Sequence, residues 1–126
     1  MGLGPNVKFE GHVSDISEIW RKHHALILPS RFEGTPLALI EAMHCARAVI
    51  GTAVAGIPEW IEDGLGGFLA EAPTIRHLDQ CMERVSAARD RLRAMGAQAK
   101  LVVEKSLGDP IDFLAKKLVN IARWQK

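Results

Sequence analysis

Residues 25–43 read ALILPSRFEGTPLALIEAM and decide the fold class, because strand, loop and helix signals follow one another without a gap. The run 25–28 is entirely apolar and is followed by a proline, a pattern typical of a strand buried on both faces of a parallel sheet. Thr35 followed by Pro36 is typical of a helix N-terminus, with Thr35 as the cap and the helix continuing to about Ala46. The stretch therefore predicts a strand that leads through a short loop into a helix.

The rest of the chain continues this alternation. Alternating apolar and polar residues predict a further strand at residues 7–10, and short apolar runs predict strands at 48–51 and 67–70. Cap residues followed by apolar residues at helical spacing predict further helices, whose caps or first residues are Asp15, Pro58, Thr74 and Asp109. Gly96 is expected to interrupt the helix that follows Thr74. Alternating strands and helices with short turns predict a single α/β domain over residues 1–126, with a Rossmann-like parallel sheet flanked by helices.

Length and composition exclude several classes of protein. The 126 residues suffice for one domain, and 16 Lys and Arg against 15 Asp and Glu leave a net charge of +1 with interspersed signs, which argues against nucleic-acid binding. No run approaches the roughly 20 apolar residues of a membrane span, and no secretory signal pattern is present, so a cytoplasmic protein is expected. Cys45 and Cys81 are expected to be reduced packing residues, and the histidines lack metal-ligand spacing, so neither a metal nor a cofactor is predicted.

The loop between the first apolar strand and its helix is the first candidate site. In a parallel sheet, ligands bind at the carboxyl ends of the strands, where free N–H groups of the next helix attract anions. Glu33 lies just outside the predicted helix N-terminus, and Gly34 allows a ligand to approach the backbone closely. A carboxylate at the position of Glu33 is also favourable without any ligand, so its position alone leaves both interpretations open.

Glu41 is the second candidate. The other residues of the run 37–43 are apolar, so the sequence predicts a largely buried carboxylate, which is costly unless several donors satisfy it. One interpretation pairs Glu41 with a backbone turn or with an arginine such as Arg47. The other has Glu41 accept hydrogen bonds from two vicinal hydroxyl groups, such as those of a ribose.

The spacing of Glu33 and Glu41, with Gly34 after the first and Ala42-Met43 after the second, resembles the donor-binding signature of retaining nucleotide-sugar glycosyltransferases of the group 1 type. These enzymes have the GT-B fold. Further segments match in the family's order and spacing, namely VKFEGHV at 7–13, ALILPS at 25–30, AVIGT at 48–52, AGIPE at 55–59 and DGLGGFL at 63–69. The resemblance covers roughly residues 6–107 and implies the C-terminal, donor-binding domain of such an enzyme.

The resemblance implies roles for the matching side chains. Glu33 is the residue of the catalytic site that contacts hydroxyl groups of the donor sugar, and Glu41 takes the ribose hydroxyls. The backbone near His12 and Val13 faces the nucleobase, although these two residues are equally compatible with an ordinary strand end.

The resemblance also implies a role for the loop backbone. Amides around Gly34, Thr35, Pro36 and Leu37 hold the sugar and the diphosphate, and Thr35 and Leu37 are the better donors because proline has no N–H. Ala55 departs from the family, which often has another glycine at this position.

The resemblance further implies parts of the enzyme that lie outside this chain. They are an N-terminal domain that binds the acceptor, and the start of the C-terminal domain with the Arg and Lys that neutralise the diphosphate. The chain is therefore expected to be N-terminally truncated, to bind its donor weakly and to transfer no sugar alone. The full enzyme would transfer a sugar with retention from a nucleoside diphosphate sugar to an unidentified acceptor in carbohydrate biosynthesis, in the cytoplasm or peripheral to the inner membrane. The alternative is a noncatalytic Rossmann-like module that binds a nucleotide or a protein.

The strand order in the family, 3-2-1-4-5-6, makes the segment at residues 7–9 a special case. The predicted strands correspond to the third through sixth, so the two strands that would separate residues 7–9 from residues 25–28 are missing. The segment must then pair with a new neighbour, detach or add to another chain. Self-association through the free sheet edge or the last helix is expected.

Overall fold

A parallel sheet of three strands forms the centre of the structure, a computed structural model that describes residues 4–108. The strands are β1 (Ala25–Leu28), β2 (Ala48–Thr52) and β3 (Gly67–Ala70), in the order β1-β2-β3. Each neighbouring pair is parallel, so the three carboxyl ends lie at one edge of the sheet. The predicted α/β, Rossmann-like arrangement is confirmed, as are these three strands.

Residues 4–108 contain four α-helices, α1 (Ile16–Lys22), α2 (Leu37–His44), α3 (Ile75–Ala87) and α4 (Leu92–Leu107). Asp15 caps α1 by accepting a hydrogen bond from the Ser17 N–H at 2.9 Å. Thr74 caps α3 by accepting one from the His77 N–H at 3.3 Å. Both caps are where the sequence predicted them, because capping depends on residues within one turn.

The two faces of β2 contribute to separate cores, because side chains alternate along a strand. Val49 packs on one face with side chains from three helices, among them Trp20 of α1 and Leu39 of α2. Ile50 packs on the other face with α3, where Cys81 is buried. Both cysteines are free, and burial raises the pKa of the Cys81 thiol, as expected of a packing residue.

β1 is less buried than its sequence predicted. Among the described residues it pairs with β2 alone, so it forms one edge of the sheet. Ile27 is consequently 49% exposed. A strand at this position is correct, but burial on both faces is wrong, because burial depends on neighbours that a local run of residues does not contain.

Residues 7–10 do not form the predicted strand. They have no regular structure, and Phe9 is 93% exposed. Within the segment, Lys8 and Glu10 form an ion pair at 2.8 Å. A strand needs a neighbour for its backbone groups, and within residues 4–108 this segment pairs with no strand, although the outer edge of β1 is free. Of the three outcomes considered for this segment, pairing with a new neighbour in the same chain does not occur within residues 4–108, which leaves detachment or addition to another chain.

Gly96 lies inside α4 and does not interrupt a helix. The break falls at Ala88, between α3 and α4. Gly96 permits α4 to approach the residues just before β2, because a Cβ atom there would overlap the carbonyl oxygen of Ala46. The prediction was wrong because the low helix propensity of glycine is outweighed here by close packing.

Other helical boundaries also differ from the predictions. The helix predicted to begin at Pro58 is a single 3-10 turn at Ile57–Glu59, and α2 ends at His44 and not near Ala46. The helix predicted from Asp109 lies outside the described residues. No helix within residues 4–108 has the length and apolar character needed to cross a membrane.

Candidate functional site

The candidate site lies at the carboxyl edge of the sheet, where two connections meet. The first, the β1–α2 loop, comprises residues 29–36, and the second, the β2 turn, comprises residues 53–56. A Cβ atom on Gly56 would stand 2.7 Å from the carbonyl oxygen of Gly34 and 3.3 Å from Thr35 Oγ1. Glycine is therefore required at position 56 for this close approach, and the two connections form one surface.

The β2 turn is tight and strained. Ala55 adopts a φ of 44°, in the left-handed region that side chains disfavour by roughly 1–2 kcal/mol. Backbone hydrogen bonds hold the turn, from the Val54 N–H to the Thr52 carbonyl at 2.8 Å and from the Ile57 N–H to the Val54 carbonyl at 3.1 Å. The turn that supports the loop is thus fixed despite the strain at Ala55.

Glu33 is half-buried in the β1–α2 loop, and one of its carboxylate oxygens is anchored. Ser30 Oγ donates a hydrogen bond to Glu33 Oε1 at 2.9 Å. Within residues 4–108 this is the one hydrogen bond to the Glu33 carboxylate, so Oε2 remains able to accept one from a ligand. This hydrogen bond gives the Glu33 carboxylate a defined orientation.

Ser30 is in turn held by Thr52, across the sheet. Thr52 Oγ1 donates a hydrogen bond to the Ser30 carbonyl oxygen and ties the end of β1 to the end of β2. Thr52 is 1% exposed, and it is the one buried polar residue among those described. Sequence reasoning missed both residues. The available signal was a hydroxyl side chain at or just after the end of each apolar run, at the edge where ligands bind.

Pro36, not Thr35, is the N-cap of α2. Pro36 has an extended conformation with φ −70° and ψ 128°, the helix begins at Leu37, and no side-chain hydrogen bond caps it. The prediction that Thr35 is the cap is wrong, because the Thr35 hydroxyl lies against Gly56 in the β2 turn. The first N–H groups of α2 therefore remain able to bind oxygen atoms of a ligand.

Glu41 is exposed, so the prediction that it is buried is wrong. It shares an exposed stripe of α2 with Leu37, four residues earlier, and His44, three residues later. The opposite face is buried and consists of Leu39, Ala42 and Met43. Within residues 4–108 no ion pair joins Glu41 to Arg47, so the interpretation as a buried structural partner is not supported.

The remaining predicted residues, His12 and Val13, do not belong to the β1–α2 loop or to α2. They belong to residues 7–14, which we call the leading segment, where His12 is exposed and Val13 half-buried. Within residues 4–108 no hydrogen bond or ion pair joins the leading segment to the β1–α2 loop. The structure therefore gathers residues 33–37 and Glu41 on one loop and helix, but it does not connect them with His12 and Val13.

A cavity at the end of β3 is separate from this surface. It has a volume of about 190 Å³ and is lined by Leu69, Ala70, Glu71, His77, Gln80, Cys81 and Arg84. Arg84 pairs with Asp63 at 2.6 Å and lies 5.0 Å from the centroid of the Phe68 ring. These contacts fasten α3 to β3, which is a structural role.

The candidate site offers acceptors, donors and apolar surface close together in sequence. Glu33 and Glu41 can accept hydrogen bonds from hydroxyl groups, and the start of α2 can donate to anionic oxygens. Phe32 and Leu37 are 88% and 77% exposed. Within residues 4–108 no group of three or more His, Cys, Asp or Glu residues could hold a metal ion. The surface suits a ligand with both hydroxyl groups and negative charge.

Comparison with known proteins identifies similar sequences. A family model described as glycosyl transferases group 1 matches residues 1–88. The chain is 35% identical over 115 residues to N-acetyl-alpha-D-glucosaminyl L-malate synthase of Bacillus anthracis, covering 90% of this chain and 28% of that protein. It is 30% identical over 101 residues to D-inositol 3-phosphate glycosyltransferase of Streptomyces griseus, covering 79% of this chain and 21% of that protein. The chain thus spans less than a third of these two relatives.

Solved structures show the same fold. The C-terminal domain of LpcC, a glycosyl transferase group 1 family protein from Francisella tularensis, matches with a TM-score of 0.68 and 25% identity, over 82% of this chain and 55% of that one. Alr3699/HepE of Anabaena, solved in complex with UDP, matches with a TM-score of 0.83 and 20% identity, over 97% of this chain and 34% of that one.

Proposed function

This chain belongs to the group 1 glycosyltransferases, and we propose that its β1–α2 loop and α2 bind the nucleoside diphosphate sugar from which such an enzyme transfers the sugar. The observation that carries the proposal is the presentation of Glu33 and Glu41 on a single loop and helix at the carboxyl edge of the sheet. Alr3699/HepE, whose fold is similar, has been solved with UDP-glucose, a ligand of this class.

The donor would lie along the unit from the loop to the helix. Glu41, exposed in the second turn of α2, would accept hydrogen bonds from the two ribose hydroxyls. Glu33 would accept one from a sugar hydroxyl through Oε2, since Oε1 is occupied by Ser30. The nucleobase would extend toward His12 and Val13 in the leading segment.

The diphosphate would lie between the sugar and the ribose, at the uncapped start of α2. Leu37 supplies an amide in the first turn, Thr35 supplies one from the loop, and Gly34 leaves room because a Cβ atom there would meet nothing within 4 Å. Pro36 contributes its extended backbone conformation but no N–H donor.

We place the transfer reaction in a protein that combines this domain, residues 1–126, with an acceptor-binding domain. In a retaining reaction the bond from the sugar C1 to the phosphate oxygen breaks, and a bond from C1 to the acceptor oxygen forms on the same face. The acceptor proton passes to a donor phosphate oxygen, so no cofactor is needed. A cytoplasmic enzyme of carbohydrate biosynthesis, free or peripheral to the inner membrane, fits this chemistry. We expect the 126-residue polypeptide alone to bind donor without transferring sugar.

Titration of isotope-labelled protein with UDP, GDP and ADP sugars, followed by NMR, tests donor binding. Amide resonances of residues 33–35, of Leu37 and of α2 around Glu41 should shift. Weak binding is expected, because the Arg and Lys that neutralise the diphosphate in the family do not belong to the described site, so ligand concentrations should reach the millimolar range. Shifts confined to other parts of the chain would contradict the proposal and favour a noncatalytic module that uses a different surface.

Glu41→Gln separates ribose recognition from folding. Loss of the carboxylate should weaken nucleotide binding about tenfold, while the free energy of unfolding changes by less than about 0.5 kcal/mol, because Glu41 is exposed. Glu83→Gln, at an exposed position of α3, is the matched control and should change neither quantity. Equal affinity in Glu41→Gln and the control would remove Glu41 from the site.

We also propose that the polypeptide self-associates through the free edge of β1. Ile27 is half-exposed there, and within residues 4–108 the backbone groups on the outer side of β1 have no strand as a partner. The other route considered, the last helix, lies outside the described residues. Sedimentation at micromolar concentration tests the proposal. Substitution of Ile27 by lysine should restore a monomer if the edge is responsible, and a monomeric parent protein would refute it.

A further inference from the structure

Ser30 and Thr52 form a hydrogen-bonded chain that ends at the Glu33 carboxylate. Thr52 Oγ1 donates to the Ser30 carbonyl, and Ser30 Oγ donates to Glu33 Oε1 at 2.9 Å. The two bonds fix different parts of Ser30, since one holds its backbone and the other uses its side chain. Glu33 is therefore oriented relative to β2 as well as to its own loop.

Burial makes the Thr52 hydroxyl informative. The other residues of β2 are apolar or glycine, and all five are buried. A hydroxyl in such a place costs free energy unless it makes a hydrogen bond, and valine would fill nearly the same volume without that cost. The hydroxyl is matched by a single acceptor, the Ser30 carbonyl, at the point where the loop leaves the sheet.

The position of Thr52 is itself rigid. It aligns with Ala70 in β3, and the N–H of the next residue, Ala53, donates to the Ala70 carbonyl at 2.8 Å. The hydroxyl therefore extends from the central strand of the sheet toward the loop. A carboxylate held by these two hydrogen bonds is already oriented before a ligand binds.

We propose that Ser30 and Thr52 are positioning residues, which hold the Glu33 carboxylate with Oε2 directed at a hydroxyl group of the donor sugar. This inference rests on the proposed donor site. It adds that recognition of the sugar part of the donor depends on the two hydrogen bonds that link Thr52, Ser30 and Glu33. The nucleotide part is recognised by other groups, chiefly Glu41 and the N-terminus of α2. Removing either hydroxyl should therefore weaken the contribution of the sugar and leave nucleotide binding intact.

The test compares each nucleotide sugar with its own nucleoside diphosphate. Dissociation constants of UDP-glucose and UDP, GDP-mannose and GDP, and ADP-glucose and ADP are measured by NMR titration for the parent chain and for Ser30→Ala and Thr52→Val. In the parent chain at least one sugar nucleotide should bind more tightly than its diphosphate. Ser30→Ala should raise the dissociation constant of that sugar nucleotide about threefold to tenfold, and Thr52→Val should raise it as well. The dissociation constant of the diphosphate should not change in either variant.

Conservative variants distinguish positioning from general stability. Ser30→Thr and Thr52→Ser keep the hydroxyl groups, and each should restore most of the sugar contribution. The carboxyl carbon resonance of Glu33 at neutral pH should move in Ser30→Ala but return in Ser30→Thr. This resonance reports on the carboxylate even if Thr52→Val is too unstable for titration.

The outcomes separate this inference from the proposed site. If the parent chain binds none of the nucleotides, the proposed function fails. The positioning role is wrong, and the proposed function stands, if diphosphates bind but no sugar nucleotide binds more tightly than its diphosphate. The same conclusion follows if Ser30→Ala weakens the binding of the sugar nucleotide and of the diphosphate equally. An unchanged Glu33 resonance in Ser30→Ala also overturns the positioning role.

Discussion

The β1–α2 loop and the leading segment both match the family signature, yet the structure supports them very differently. The loop is held by contacts with other elements, namely the hydrogen bond from the Thr52 hydroxyl and the close approach of Gly56. Residues 7–10 of the leading segment form no strand, and Phe9 is 93% exposed. Two segments with comparable sequence signals thus differ in the contacts that they make with the rest of the described chain.

The difference shows that a motif acquires a defined geometry through its neighbours. The loop follows β1, which pairs with β2 over four aligned residue pairs, so the loop begins at a fixed point. Residues 7–10 have the residue pattern of a strand, but within residues 4–108 they pair with no strand, and the outer edge of β1 stays free. The β1–α2 loop should therefore be sensitive to substitutions in the β2 turn, whereas the leading segment should tolerate substitution.

The largest effect is expected from Gly56→Ala. Its Cβ atom would stand 2.7 Å from the Gly34 carbonyl oxygen, so the β2 turn and the β1–α2 loop must move apart. We expect a loss of about 1–3 kcal/mol in the free energy of unfolding, comparable with overpacking elsewhere in proteins. Urea denaturation followed by circular dichroism measures this loss.

Gly34→Ala is the matched control on the other side of the same contact. A Cβ atom on Gly34 meets nothing within 4 Å, so the substitution should be neutral or slightly stabilising. Equal destabilisation by both variants would mean that position 56 is not specially constrained, and the contrast between the loop and the leading segment would lose its main support.

A smaller effect of opposite sign is expected from Ala55→Gly. Ala55 has a φ of 44°, which glycine adopts without strain, so this variant should be stabilised by up to about 1 kcal/mol. Ala53→Gly, two residues earlier and without a positive φ, should be destabilised by about 0.5–1 kcal/mol, because glycine loses more backbone entropy on folding. Thermal unfolding of the two variants in parallel would show shifts of opposite direction. Shifts in the same direction would argue against strain at Ala55.

The features that the sequence predicted correctly are those set by nearby residues. Asp15 and Thr74 cap helices through hydrogen bonds within one turn, and the three strands of the sheet are marked by short apolar runs. The loop containing Glu33 and Gly34 also lies between a strand and a helix, as the sequence predicted.

The features that it did not predict depend on contacts between distant segments. Glu41 was expected to be buried because apolar residues surround it in sequence, whereas the helix turns it onto the exposed stripe with His44. Thr35 has the composition of a cap, yet its hydroxyl lies against Gly56, which is 21 positions away. The hydrogen bond of Thr52 likewise joins residues that only the parallel pairing of β1 and β2 brings together.

The smallest effect is expected from Phe9→Ala, which tests the leading segment directly. Because Phe9 is 93% exposed, its removal should change the free energy of unfolding by less than about 0.5 kcal/mol. Phe68→Ala is the control of the same residue type, at a side chain that is 5% exposed, and it should cost about 3–5 kcal/mol. Urea denaturation should be repeated at several protein concentrations, since a contribution from Phe9 that grows with concentration would mean that the segment packs on a second copy. A large contribution that does not depend on concentration would mean that the segment packs on its own chain and that its difference from the β1–α2 loop is smaller than the structure indicates.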